Sequence, residues 1–179
     1  MKLNLGCGNA KITGCVNIDC EESVKPDLIH NFITGELPYE NDSIEEIYLF
    51  HTIEHIQKRY HREIFLEISR VLKPDGFFYV SYPEFLKCAQ GWAANKSGKR
   101  EFWEMTLYGR QLYKSDYHVC IIDSVCLKGV LEECGFSNVE YKCEPNADYN
   151  TILKATKSTP YINYEELITR DMDRLMGRI

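Results

Sequence analysis

Two glycines and an aspartate near the start of the chain have the types and spacing of a nucleotide-type binding site. Gly6 and Gly8 directly follow a short apolar run, and Asp19 comes 13 residues after Gly6. Glycine allows unusual backbone dihedrals and a close approach of the backbone to a ligand. A carboxylate at the end of the next strand can accept hydrogen bonds from both hydroxyls of a ribose. The turn and the acid together therefore indicate a ribose-containing cofactor.

The same stretch departs from the dinucleotide-binding fingerprint in two respects. That fingerprint requires a third glycine where this chain has Lys11. The acid also follows the first glycine sooner than the roughly 20 residues expected of an NAD site. Both departures disfavour NAD as the cofactor.

A second group of candidate residues, His51-x-x-Glu54-His55, spells the inverted zinc-protease signature. Histidines four apart on a helix can bind one zinc ion, with the glutamate as a base. Here the motif directly follows a predicted strand, without a full turn of helix before it. A zinc hydrolase is therefore a remote alternative and no metal site is expected. The start of a helix with ordinary polar residues is the other interpretation.

Short apolar or β-rich runs predict seven strands that position these residues, and three helical patterns accompany them. The predicted strands cover residues 2–5, 16–19, 27–30, 44–50, 77–81, 139–143 and 151–155. The predicted helices cover residues 57–72, 124–134 and 164–176. Alternation of strands with helices indicates a mostly parallel sheet that is covered on both faces.

The first two connections between strands are unusually short. Seven residues separate Gly8 from Val16, and seven separate Asp19 from Asp27. A parallel crossover normally takes about a dozen residues or more. We therefore expect loops or single turns in place of the first two helices.

The composition is that of a single globular domain. The chain has 179 residues, of which 44% are hydrophobic and 27% charged. A formal net charge of −6 argues against nucleic acid as the main partner, because that binding depends on clustered Lys and Arg. No apolar run approaches the roughly 20 residues of a membrane helix, so no membrane partner is expected.

The cysteines favour a cytoplasmic location. Eight are spread along the chain with no CxxC pair, which favours reduced thiols over disulfides or structural zinc. The N-terminus also reaches the Gly6 turn too soon for a signal peptide.

Six segments resemble, in order along the chain, motifs of the class I S-adenosylmethionine (SAM)-dependent methyltransferases, in particular the small type 11 members. They are Leu3–Gly8, Val16–Asp19, Leu37–Ser43, His51–His55, Arg70–Gly76 and Leu127–Phe136. The resemblance covers about residues 2–143 and implies a Rossmann-like, mostly parallel seven-stranded sheet in the order 3-2-1-4-5-7-6. It further implies a SAM-binding domain over residues 1–156, with a lid and acceptor segment at 83–118 inserted after strand 5. The helical tail at 157–179 would then pack on the domain or on a second subunit, so a homodimer is possible.

The resemblance also implies which residues bind the cofactor SAM. Asp19 would hold the ribose. Asn31 stands where the family often has an aspartate that contacts the adenine amino group, and its amide oxygen can accept the same hydrogen bond. The remaining expected contacts are with the methionine part of SAM, made by Leu5, Gly6, Cys7, Gly8 and His51.

The activity that the resemblance implies is methyl transfer to a small molecule, with a hydroxyl of a sugar or metabolite as the preferred acceptor. His118 is the leading candidate for the catalytic base, because it ends the segment that usually covers the acceptor in this class; a surface histidine is the alternative. The N/D-P-P-Y motif of amino-methylating enzymes is absent after strand 4, which disfavours base N-methylation. A SAM-binding module without turnover, acting as a partner or sensor, is the second class of function.

The lid segment holds aromatic residues that would either line the acceptor pocket or pack the lid: Trp92, Phe102, Trp103, Tyr108, Tyr113 and Tyr117.

Overall fold

Seven strands form one sheet in the order β3-β2-β1-β4-β5-β7-β6, which confirms the predicted order. The structure is a computed structural model and describes residues 1–96, 98, 100–112, 116–145 and 147–158. The first five strands are parallel to one another, and β7 is antiparallel to both β5 and β6. The strands are β1 Lys2–Leu5, β2 Val16–Asp19, β3 Leu28–Ile29, β4 Ile44–Phe50, β5 Leu72–Pro83, β6 Phe136–Glu144 and β7 Ala147–Lys157.

Four α-helices accompany the sheet in the described part of the chain: α1 His61–Val71, α2 Phe85–Ala93, α3 Arg100–Tyr108 and α4 Ser124–Glu133. Helix α1 begins later than predicted because residues 58–60 form a 3-10 turn. Helices α2 and α3, of nine residues each, lie in the insertion after β5, for which the sequence predicted a lid without defined elements. None of the described helices is long and apolar enough to cross a lipid bilayer.

Three strands are longer than predicted. Strand β5 begins at Leu72, because a bulge lets this residue pair with Ile44 before Phe77 pairs with Glu46. The β6–β7 hairpin also extends beyond the predicted segments, and β7 continues to Lys157, one residue past the predicted domain boundary. The predicted helical tail lies outside the described residues.

A buried polar network replaces the first two crossover helices. Between β1 and β3 the chain forms loops and one 3-10 turn at residues 22–24, as predicted. Asn4 Nδ2 donates a hydrogen bond to Asn17 Oδ1 at 2.9 Å, and both side chains are buried. Asn17 in turn donates from its backbone N and its Nδ2 to Asp27 Oδ2, each at 2.8 Å. These bonds fix the short connections, and sequence reasoning did not identify them.

The loop between β3 and β4 is held against α1 by one arginine. Arg70 Nη1 donates to the carbonyl of Tyr39 at 2.9 Å, and Nη2 donates to the carbonyl of Leu37 at 3.0 Å. Glu67 of the same helix accepts a hydrogen bond from the backbone N of Leu37 at 2.6 Å. As a result the side chains of Phe32 and Leu37 pack in the core. The loop covers the part of the sheet that a crossover helix would otherwise cover.

Candidate active site

The predicted cofactor residues follow four adjacent parallel strands and lie at one edge of the sheet. Leu5 pairs with Ile18, and Asp19 pairs with Ile29 in the next strand. The carboxyl ends of parallel strands meet at the same edge, which is where open α/β sheets bind ligands. Gly6, Asp19, Asn31 and His51 therefore emerge side by side, as the sequence predicted from their positions.

The turn after β1 and the acid after β2 are joined by a hydrogen bond. The backbone N of Gly8 donates to Asp19 Oδ2 at 2.8 Å, and the backbone N of Glu21 donates to Asp19 Oδ1 at 2.9 Å. Cys7 N donates to the carbonyl of Ile18 at 3.1 Å. The side chains of Leu5 and Cys7 are buried, so only their backbone atoms can serve a ligand at this edge.

The two glycines of the turn have different roles. Both have positive φ, +64° at Gly6 and +46° at Gly8, a region that favours glycine. A Cβ on Gly6 would lie 2.4 Å from Thr52 Cγ2, whereas a Cβ on Gly8 would meet nothing within 4 Å. Gly6 therefore lets the turn pack against Thr52, and Gly8 faces open space at the edge of the sheet.

Asn31 is exposed, and its side chain stabilises its own loop. Asn31 Oδ1 accepts a hydrogen bond from the backbone N of Ile33 at 3.1 Å. An amide oxygen has two lone pairs. One acceptor position is therefore used locally, and the second is available to a ligand.

His51 lies between two carboxylates directly after β4. Its Nδ1 is 3.4 Å from Glu54 Oε1, and its Nε2 is 3.4 Å from Glu144 Oε1. Burial lowers the pKa of His51, but the hydrogen bonds and charges of the two glutamates outweigh burial and raise the pKa above its ordinary value. The backbone of His51 has a positive φ of +48°, which is uncommon for a residue with a side chain and is frequent at functional sites.

Glu54 and His55 belong to a 3-10 turn, Ile53–His55, and His51 precedes that turn. The two histidines are therefore not one turn apart on an α-helix, as the inverted zinc-protease arrangement requires. His55 contacts His118 instead, with ring centroids 4.8 Å apart and the rings nearly perpendicular. The structure thus gives no support to the zinc-protease interpretation of this motif.

His118 is placed next to this turn by backbone contacts. Its backbone N donates to the carbonyl of Tyr108 at 3.1 Å, and the backbone N of Val119 donates to the carbonyl of Glu54 at 2.9 Å. Gly109 has a φ of +80°, and a Cβ there would lie 1.9 Å from the carbonyl oxygen of Asp116. Glycine is required at this position for the chain to fold back toward Glu54.

Burial shifts the protonation of His118 toward the neutral imidazole. Desolvation lowers the pKa of His118 below its ordinary value, against the opposing charge of Glu54. The sequence predicted His118 at the acceptor segment. It did not predict the contact with His55, because the two residues are far apart along the chain.

A small cavity of about 10 Å³ lies beside this cluster. That volume is about the room one water molecule needs. Its walls combine polar groups with apolar side chains, as small-molecule sites do. The residues that line the cavity are Glu54, Pro83, Phe85, Thr106, Leu107, His118, Cys120, Ile121 and Ile122.

Two of the predicted aromatic residues pack the insertion. Phe102 and Trp103 lie in edge contact with each other, and both contact Tyr149 of β7. A Cβ on Gly91 would lie 2.4 Å from the Trp103 ring, so α2 and α3 are in close contact there. Tyr108 and Tyr117 are exposed. The prediction for Tyr113 lies outside the described residues.

Comparisons with known proteins agree with this arrangement. Residues 3–80 match a family model described as a methyltransferase domain. No curated protein has a matching sequence.

Three similar solved structures have low sequence identity and the same fold. A SAM-dependent methyltransferase from Archaeoglobus fulgidus has 13% identity and a TM-score of 0.64, with 87% of this chain and 85% of that chain covered. A SAM-dependent methyltransferase from Methanosarcina mazei has 14% identity and a TM-score of 0.60, covering 88% and 92%. A protein from Thermotoga maritima, described as a possible histamine N-methyltransferase, has 13% identity and a TM-score of 0.60, covering 88% and 82%.

The matched segment begins within β1 and ends within β5. It therefore contains the turn, Asp19, Asn31 and His51, which lie together at the carboxyl edge of the sheet. The fold of the whole described chain agrees with the solved methyltransferase structures. The partial family match and the shared fold together support a class I SAM-dependent methyltransferase with SAM as its cofactor.

Proposed function

We propose that the protein transfers the methyl group of SAM to a hydroxyl of a small organic acceptor. The observation that carries this proposal is the direct contact between the cofactor edge of the sheet and the cluster of Glu54, His55 and His118. His51 stands at the cofactor edge of the sheet and lies 3.4 Å from Glu54, which belongs to the cluster with His55 and His118. A methyl donor bound at that edge would thus have its acceptor pocket beside it.

Asp19 is proposed to bind the ribose of SAM. Its two oxygens already accept one hydrogen bond each, from Gly8 and Glu21. A carboxylate has about four acceptor positions. Two positions therefore remain for the two ribose hydroxyls, and the existing bonds hold the carboxylate in a fixed orientation.

The other cofactor contacts follow from position and charge. We propose that the backbone from Leu5 through Gly6 and Cys7 to Gly8 meets the methionine part of SAM. The raised pKa of His51 favours the protonated imidazole. Its positive charge would attract the carboxylate of the methionine part of SAM. The free acceptor position of Asn31 would take the adenine amino group.

His118 is the proposed catalytic residue on the acceptor side. Methyl transfer is an in-line displacement, so most of the rate enhancement comes from holding the donor and the acceptor in line. An acceptor hydroxyl also loses a proton, and a neutral imidazole offers a lone pair at that point. The lowered pKa of His118 keeps that lone pair available at neutral pH.

A small acceptor is favoured over a nucleic acid. The net charge of −6 opposes binding to a phosphate backbone. One similar structure is described as a possible histamine N-methyltransferase, so amines are the competing class of acceptor. The proposed lid, residues 83–118, would close over the acceptor and exclude water.

The cellular setting that we propose is the cytosol. Cys88 and Cys134 are buried, and burial raises the pKa of each thiol to about 12. The cysteines of the described residues are free thiols, and a reducing compartment keeps cysteines from forming disulfides. A homodimer through the C-terminal tail is a further proposal, and light scattering that gives a monomer at working concentration would contradict it.

The test of this function is transfer of a labelled methyl group from SAM. The purified protein is incubated with a panel of sugars, hydroxy acids and amines, and label in each acceptor is counted. We expect label in a hydroxyl compound, with loss of about a hundredfold or more in His118→Ala. Label in amines alone would overturn the hydroxyl assignment, and no label with any acceptor or with cell extract would count against turnover.

A further inference from the structure

Glu54 carries a buried carboxylate oxygen that no described residue satisfies. The side chain is 2% exposed. Its Oε1 lies near His51 Nδ1, but its Oε2 has no hydrogen-bond partner among the residues that the structure describes. A buried carboxylate without a partner for one oxygen is costly. This oxygen therefore points to a cationic ligand at the site.

Two histidines offer ring nitrogens to the same point. One ligand atom each from Glu54, His55 and His118 lies within 4.8 Å of the others. His55 Nδ1 is 3.0 Å from the carbonyl of Tyr117, so Nδ1 carries the proton and Nε2 keeps its lone pair. Histidines that bind metals are commonly oriented by such a bond from their other ring nitrogen.

We propose that Glu54, His55 and His118 bind one divalent first-row transition-metal ion, such as Zn²⁺ or Mn²⁺. Two imidazoles and one carboxylate on one side of an ion leave coordination positions open. The ligands differ from those of the inverted zinc-protease signature, because His118 takes the place that the signature gives to His51. The small cavity beside Glu54 and His118 offers space for a further ligand.

Two neighbouring groups are excluded from the ligand set. The Sγ of Cys120 already contacts the carbonyl of Ile56 at 3.2 Å. The nitrogens of His51 face Glu54 and Glu144. His51 would therefore orient the carboxylate of Glu54 rather than bind the ion itself.

The three side chains must move slightly to bind an ion. Ligand atoms at bonds of about 2.1 Å are roughly 3 to 4 Å apart, whereas the largest separation allowed for this cluster is 4.8 Å. Side-chain rotations that move each ligand atom by about an ångström are sufficient. His55 and His118 are each half-buried, so their side chains can adjust without disturbing the core.

The ion deepens the proposed function, on which this step rests, by binding the acceptor hydroxyl. Coordination makes a hydroxyl more acidic, so its proton leaves to solvent. The oxygen then forms a bond to the methyl carbon of SAM while the carbon–sulfur bond breaks, giving the methyl ether and S-adenosylhomocysteine. In this scheme the lone pair of His118 binds the ion and does not accept the proton of the acceptor hydroxyl. Acceptors with a second oxygen next to the hydroxyl, as in diols and α-hydroxy acids, would be preferred because they chelate the ion.

The test uses the full chain freed of metal by a chelator that is then removed. Co²⁺ and Zn²⁺ are titrated separately, with ligand-field absorption and calorimetry as the readouts. We expect one ion per chain, and affinity lower by at least about tenfold in Glu54→Gln and in His118→Gln. His30→Gln is the matched histidine control and should keep the wild-type affinity.

Melting curves and titration of S-adenosylhomocysteine on every variant separate this proposal from the proposed function. Wild type that binds S-adenosylhomocysteine but no metal ion overturns the metal site alone. Equal metal affinity in wild type and both ligand variants also overturns it. Metal binding without binding of S-adenosylhomocysteine would instead contradict the proposed function and leave the metal site standing.

Discussion

The backbone N of Gly8 lies 2.8 Å from Asp19 Oδ2, so the turn after β1 and the acid after β2 form one hydrogen-bonded unit. In most dinucleotide sites of this architecture a helix follows the glycine turn and its N-terminus supports the ligand. Here the described chain has loops at that place. The contact between Gly8 and Asp19 therefore fixes the shape of the cofactor edge without a helix.

Alanine substitutions at Gly6 and Gly8 should have different consequences. Gly6→Ala puts a Cβ 2.4 Å from Thr52, and we expect the free energy of unfolding to fall by about 2 to 4 kcal/mol from steric clash and backbone strain. Gly8→Ala meets no described atom within 4 Å, so it should cost only about 1 to 2 kcal/mol but weaken binding of S-adenosylhomocysteine. Chemical denaturation and calorimetry measure both quantities. Equal losses of stability in the two variants would contradict the separate roles.

Asn17→Ala should destabilise the short crossovers. The variant removes the partner of Asn4 and one of the two hydrogen bonds to Asp27, while the backbone bond to Asp27 remains. Because the groups left behind are partly buried, we expect a loss of about 2 to 3 kcal/mol in the free energy of unfolding. Urea denaturation gives this value, with exposed Asn9→Ala as the control. A loss equal to that of the control would show that the network does not support the fold.

The arrangement of strands could be predicted from the sequence, and several elements that surround it could not. Apolar runs and motif order predicted the sheet and its short crossovers, because each depends on local pattern. Strand β5 is longer than its apolar run because a bulge carries the strand across Lys73, Pro74, Asp75 and Gly76. Helices α2 and α3 have mixed polar faces within a segment rich in aromatic residues, so their pattern did not stand out.

The acceptor side of the site was only partly predictable. His118 was identified by its place in the lid segment, and His55 by the motif around it. Their contact depends on the turn of the chain at Gly109, where the positive φ and the approach of Asp116 are tertiary features. A single glycine directly after Tyr108 gives no such signal in the sequence. The network of Asn4 and Asn17 was missed for the same reason, since buried amides have no characteristic spacing.

Gly109→Ala should impair methyl transfer without impairing cofactor binding. Its Cβ would lie 1.9 Å from the carbonyl oxygen of Asp116, so the chain that carries His118 must shift. Displacement of a catalytic group by about 1 Å can cost about a hundredfold in rate, whereas affinity for S-adenosylhomocysteine should change by no more than about twofold. Gly129→Ala in α4 meets nothing within 4 Å and is the control. If Gly109→Ala lowered the rate and the affinity for S-adenosylhomocysteine to the same extent, the result would contradict separate cofactor and acceptor regions.

His61 should make stability depend on pH in the mildly acidic range. It is buried, and burial lowers the pKa of His61 below its ordinary value of 6.5. The unfolded chain therefore takes up a proton at higher pH than the folded chain does, and protonation favours unfolding. The stabilisation is complete above about pH 7 and falls as the pH decreases from about 6.5 through the pKa of the folded state.

The measurement is denaturation at a series of pH values for wild type and His61→Gln. We expect the difference in unfolding free energy between the two proteins to shrink as the pH falls below about 6.5. Glutamine can still donate a hydrogen bond to the carbonyl of Ile56, which accepts from His61 at 2.9 Å, so the comparison isolates the titration. A difference that stays constant with pH would contradict the lowered pKa.

The most direct test of the account is calorimetric titration of S-adenosylhomocysteine into wild type, Asp19→Ala and the control Glu22→Ala, with melting curves for all three. A ligand that binds only the folded state raises stability by about 2.7 kcal/mol at 100 times its dissociation constant. Loss of hydrogen bonds to a charged group costs about 1.5 to 3 kcal/mol, so Asp19→Ala should bind about 10 to 100 times more weakly than wild type while Glu22→Ala stays unchanged. A folded wild type that binds no S-adenosylhomocysteine, or an Asp19→Ala that binds as tightly as wild type, would contradict the assignment of this edge of the sheet to the cofactor.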